Sequence, residues 1–95
     1  MKIYISGKIT GLEFCQAMKN FDDAAQIIAL HGLKPINPMK LPQDHDKSWK
    51  SYMKEDLKAL KGCIAIFMLK DWEDSRGARI EHWFALRYGY FVYYL

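Results

Sequence analysis

Between Gly62 and Lys70 the chain reads Cys63-Ile64-Ala65-Ile66-Phe67-Met68-Leu69, without one polar side chain. A continuous apolar run of this kind is the pattern of a β-strand covered on both faces, as in a parallel sheet with helices above and below. The flanking segments agree. Lys2-Ile3-Tyr4-Ile5-Ser6 is a short β-rich run ended by Gly7. From about Glu13 to His31 the residues Phe14, Ala17, Met18, Phe21, Ala24, Ala25 and Ile28 recur at steps of three and four, which is one helical face. Gly32 stands where a left-handed cap is wanted. Leu33 to Pro38 read as a brief strand, and Pro35 assigns it to a sheet edge.

Ser48 is a suitable N-cap for a second helix, whose apolar set is Trp49, Tyr52, Met53, Leu57 and Leu60 and which Lys61-Gly62 closes. Asp71 to Gly77 read as a polar loop. Ser75 or Gly77 opens a third helix to about Tyr88, Gly89 stops it, and Tyr90 to Leu95 form a last strand. The order β-α-β-α-β-α-β predicts an α/β fold of three layers, flavodoxin- or Rossmann-like, with a short parallel sheet of about four strands and three helices. Ligands of such sheets sit beyond the carboxyl ends of the strands, where the strand order reverses. That rim carries Ser6 to Gly11, Asn37-Pro38 and Lys70 to Gly77.

The 95 residues predict one domain over 1–95. A hydrophobic share of 51% argues against disorder, and a net charge of +3 is far from that of a nucleic-acid-coating arm, so no polymeric nucleic acid is expected as partner. No stretch approaches the roughly 20 apolar residues of a membrane helix, and the N-terminus breaks too soon for a signal peptide. Cys15 and Cys63 are widely spaced, which fits a reduced, cytoplasmic protein better than a disulfide scaffold or a zinc site. Asp44-His45-Asp46 lie too close together in one loop to complete a coordination set, so no metal and no cofactor are expected. A 15% aromatic share on so small a chain, concentrated in Tyr90 to Leu95, predicts a homo-oligomer, most simply a two-fold dimer.

Three places carry candidate chemistry. Tyr4-Ile5-Ser6-Gly7-Lys8-Ile9-Thr10-Gly11 places two glycines, a lysine and two hydroxyls after a buried strand. An anion cradle and a plain strand-to-helix turn both fit. Asp71-Trp72-Glu73-Asp74-Ser75-Arg76-Gly77 leads into a helix with Glu81 about one turn inside it. On spacing alone, Glu81 reads first as a surface glutamate paired with Arg76 or Arg79. Asp56 lies beside the apolar stripe of the second helix and requires a partner, such as Lys58 or a backbone group.

Together, Tyr4-Ile5-Ser6-Gly7 with Ile9, Asp56-Leu57-x-x-Leu60-x-x-Cys63-Ile64-Ala65-Ile66, and Ser75-x-Gly77-x-x-x-Glu81-x-x-x-Ala85 resemble the nucleoside 2-deoxyribosyltransferase superfamily. The nearest likeness is to a small branch common in bacteria and their phages. The Ser-x-Gly-x-x-x-Glu spacing is also similar to that of the deoxynucleoside 5′-monophosphate N-glycosidases. The resemblance implies a nucleoside or nucleotide as small-molecule partner and cleavage or transfer at its N-glycosidic bond. It implies Glu81 as nucleophile, Asp56 orienting the sugar or assisting proton transfer, and Tyr4 lining the site. Ser6, Gly7, Lys8, Ile9, Trp72, Ser75 and Gly77 would bind substrate, with Ser75 and the first loop cradling a 5′-phosphate. The chain departs from the pattern at Lys8, where a small residue or proline is frequent, at Trp83 and at Cys63, where an Asp is common. Relatives also continue beyond the position of Leu95. These departures motivate an alternative reading, a non-catalytic nucleotide-binding or assembly module.

Overall fold

A computed structural model describes residues 1–41 and 48–95 of the chain. Its element order is β1 (Lys2–Ser6), α1 (Phe14–Leu30), β2 (Lys34–Ile36), α2 (Trp49–Lys61), β3 (Ala65–Met68), α3 (Arg76–Arg87) and β4 (Phe91–Tyr94). Single 3-10 turns occupy Pro38–Lys40 and Trp72–Asp74. Two serines start helices by the same chemistry. Ser48 Oγ accepts from the Ser51 N–H and Ser75 Oγ from the Ala78 N–H, each at 3.2 Å, satisfying donors that the first helical turn leaves without partners. Gly32 at φ +77° and Gly89 at φ +74° follow helix ends in a left-handed conformation that side chains resist.

All strand pairs are parallel, in the order β2-β1-β3-β4. The Pro35 strand is at an edge, as the missing N–H of proline requires. Side chains alternate across β1 and β3, so the sheet has two dry faces. Ile3, Ile5, Ala65 and Leu69 pack with Phe21, Ala24 and Ile28 of α1. Tyr4, Ile66 and Met68 pack with Leu60 of α2 and with Ala78 and Ala85 of α3. This is the expected three-layer α/β arrangement. The helices change faces where the chain reverses direction across the sheet, as crossovers of one hand require.

The differences from expectation are local. Phe14 is 65% exposed rather than part of the α1 stripe, because it begins the helix and the sheet meets the residues further along, Ala17, Phe21, Ala24 and Ile28. β3 is shorter than its apolar run, since the Cys63 N–H still donates to Leu60 O at the end of α2. The segment read as a polar loop holds a 3-10 turn and the start of α3. Among the described residues no helix is long and apolar enough to cross a membrane.

Candidate functional site

The reversal of strand order falls between β1 and β3, whose carboxyl ends are Ser6 and Met68, paired in register. Tyr4 and Ser6 are two apart on β1 and therefore project to the same face, toward α3. There they meet Glu81. The Tyr4 hydroxyl donates to Glu81 Oε2 at 2.8 Å, and Ser6 Oγ donates to Oε1 at 2.6 Å. Both carboxylate oxygens thus have a donor, as a buried carboxylate requires. Glu81 is only 5% exposed. The reading of Glu81 as a surface residue paired with Arg76 or Arg79 is overturned. The turn of α3 that carries it faces the sheet, with Ala78 and Ala85 on the same buried side.

Burial lifts the Glu81 carboxyl to about 7, the Asp56 charge pushes in the same direction, and the hydrogen bonds from Ser6 and Tyr4 oppose them. Burial also raises the Tyr4 phenol well above its ordinary value, followed by the charges of Glu81 and Asp56. Tyr4 therefore remains a donor throughout the accessible pH range. Asp56 is half-buried on α2, near enough to act electrostatically on both groups. The structure thus brings together Tyr4, Ser6, Asp56 and Glu81 from three elements.

The remaining expected site residues have other immediate partners. Gly7 is buried, and a Cβ there would meet the Leu69 side chain at 2.7 Å, so its bareness serves the close approach of two loops. Lys8 lies over Gly11, its Cε 3.6 Å from where a Cβ of that glycine would stand, and Ile9 is exposed. A Cβ on Gly77 would lie 3.0 Å from Met53 Sδ, so this glycine lets α2 settle on the start of α3. Ser75 is occupied as the α3 N-cap. Asp44, His45 and Asp46 lie outside the described residues; among the described ones no group of three His, Cys, Asp or Glu is placed to hold a metal. Cys15 and Cys63 are both free thiols.

Trp72 belongs to a neighbouring arrangement that the sequence did not reveal. Its ring lies 4.2 Å from that of His82, whose Nε2 is 2.7 Å from the Tyr94 hydroxyl. Burial lowers the His82 pKa, with the Glu73 charge partly opposing. Trp72 and Tyr94 line a cleft of about 390 Å³ beyond the ends of β3 and β4, together with Lys70, Asp71 and Glu73. Asp71 there adopts φ +66°, the one non-glycine in the left-handed region among the described residues. No periodicity signals a contact across so many residues; only the hydrogen-bonding capacity of His82 and Tyr94 was visible in advance. No curated protein and no solved structure matches the chain. A family described as a domain of unknown function, DUF4406, matches residues 1–94, nearly the whole length, and the chain belongs to that family.

Proposed function

We propose that the protein cleaves or transfers at the N-glycosidic bond of a 2′-deoxynucleoside or its 5′-monophosphate, with Glu81 as nucleophile. The observation that supports this reading is the Glu81 carboxylate, buried at the strand-order reversal, gripped by the Tyr4 and Ser6 hydroxyls and neighboured by Asp56. A carboxyl held near neutrality in a dry setting is characteristic of functional acids. In the proposed first step a Glu81 oxygen forms a bond to the anomeric carbon as the bond from that carbon to the base nitrogen breaks. The base leaves with its electron pair and takes up a proton, with Asp56 assisting that transfer or orienting the sugar. Water or a second base then attacks the same carbon and frees the carboxylate. Tyr4 and Ser6 hold the carboxylate in one orientation and relax toward neutral acceptors while the ester exists. The first loop and the start of α3 would receive a 5′-phosphate.

The test is incubation with a panel of deoxynucleosides and their 5′-monophosphates, with free base read by chromatography. Base release by the wild type and its loss in Glu81→Gln is the expected result. No release, or equal release by Glu81→Ala, rejects the reading. Since the acid ionises at about 7, base release is expected to rise as pH increases through that value.

One observation favours the alternative, a non-catalytic nucleotide-binding module. Both Glu81 oxygens are already engaged and the residue is nearly covered, so the same triad serves equally to lock α3 onto β1. Calorimetric binding of a nucleotide without any turnover selects this alternative.

A further inference from the structure

The two edges of the sheet differ. β2 is three residues long and carries Lys34 and Pro35, both of which discourage strand addition. The opposite edge, Tyr90-Phe91-Val92-Tyr93-Tyr94-Leu95, holds no charged side chain and no proline. Its exposures are 66% at Phe91, 50% at Tyr93, 57% at Tyr94 and 65% at Leu95. We infer that β4 is where a second copy of this chain adds to the sheet, antiparallel and across a two-fold axis. This inference does not depend on the role assigned to Glu81.

The backbone supports both the occupant and the register. The Phe91 N–H donates to Ile64 O at 3.3 Å and the Leu95 N–H to Met68 O at 2.9 Å. The odd-numbered residues therefore turn their backbone groups toward β3. The alternation of a parallel strand then turns those of Val92 and Tyr94 outward, to the side where the described residues place no further strand. Antiparallel addition about a two-fold axis normal to the sheet must keep each side chain on its own face. Any register with one residue opposite itself does so, and the two that pair most of Tyr90 to Leu95 place either Val92 or Tyr93 opposite itself. The Tyr90 N–H is already engaged by Ala85 O at 2.9 Å, which weakens the Val92-centred register. The Tyr93-centred register uses every outward group of Val92 and Tyr94, pairing Val92 with the partner's Tyr94.

The same register places Phe91 against the partner's Leu95, with Tyr93 at the axis. The exposed side chains of that face thus become one apolar patch shared by two copies. A second copy suits this edge because the strand is its own uncharged complement. With Tyr94 on the opposite face included, the exposed side chains of this edge offer about 400 Å² per copy, roughly half of the ~800 Å² that a standard interface buries on each side. The association is accordingly reversible and dependent on concentration.

Light scattering over a dilution series tests it. The wild-type mass is expected to climb from one 11.2 kDa chain toward twice that value as concentration rises. Tyr93→Lys puts like charges opposite each other and is expected to hold the mass at one chain with an unchanged circular dichroism spectrum. Val92→Pro, which removes an outward N–H and leaves the bonds to β3 intact, is expected to do the same. In a Cys15→Ser background with oxidised glutathione, Tyr93→Cys is expected to cross-link two chains, since Cα atoms about 4.5 Å apart at such a pair lie within disulfide reach. A wild type that stays single at every concentration overturns the inference. So does a folded Tyr93→Lys variant that dimerises as the wild type does. Cross-linking through Val92→Cys in place of Tyr93→Cys overturns the register.

Discussion

Glu81 combines two demands that conflict. A nucleophile must be charged, whereas a carboxyl shielded from water resists charge. Its folded-state value of about 7 lies above the 4.5 of an exposed glutamate, so the folded chain keeps its proton through a range where the unfolded chain has lost it. Stability from this group is therefore greatest below about 4.5 and falls as pH rises to about 7, by about 3 kcal/mol in all. Urea denaturation across that range should show the decline in the wild type and a flatter profile in Glu81→Gln, whose amide still pairs with both hydroxyls. Tyr4→Phe removes one of the two donors from an ionised buried oxygen. It should lower stability at pH 8 by about 1–3 kcal/mol and move the Glu81 titration, followed by NMR, still higher.

At the scale of elements, local chemistry and long-range packing can be separated by substitution. Ser75→Ala deletes the α3 cap and is expected to reduce stability by about 1 kcal/mol in thermal or chemical unfolding. Gly7→Ala drives a methyl into Leu69 and should reduce it by about 1–3 kcal/mol, although residue 7 lies outside every helix and strand. Ser48, Ser75 and Gly89 were legible because caps and stops act over three or four residues. The bareness of Gly7 and Gly77 was legible as a loop signal and as room for a ligand, not as room for a side chain of the protein itself. Its cause is the side chain of Leu69 in one case and of Met53 in the other, and no local pattern announces either. Glu81 shows the same division: helical spacing alone set it at the surface, while its pairing with β1 comes from tertiary docking.

For the whole molecule, the alternation of strand and helix sufficed to read three layers and a parallel sheet, because each apolar stripe has only one way to be covered. The central strands are enclosed by α1 on one side and by α2 and α3 on the other. Hydrogen exchange should therefore be slowest for amides of β1 and β3 and faster in β2 and β4, a gradient that mass spectrometry of peptic fragments can map. Tyr4 and Ser6 meet Glu81 across most of the fold. The hydroxyls come from the first strand and the acid from the last helix, 77 and 75 positions apart. A nascent chain emerging from the ribosome therefore carries the two hydroxyls long before it carries the carboxylate. The triad assembles only once the α3 segment is outside the ribosome, so a fragment arrested earlier exposes Tyr4 and Ser6 with nothing to grip.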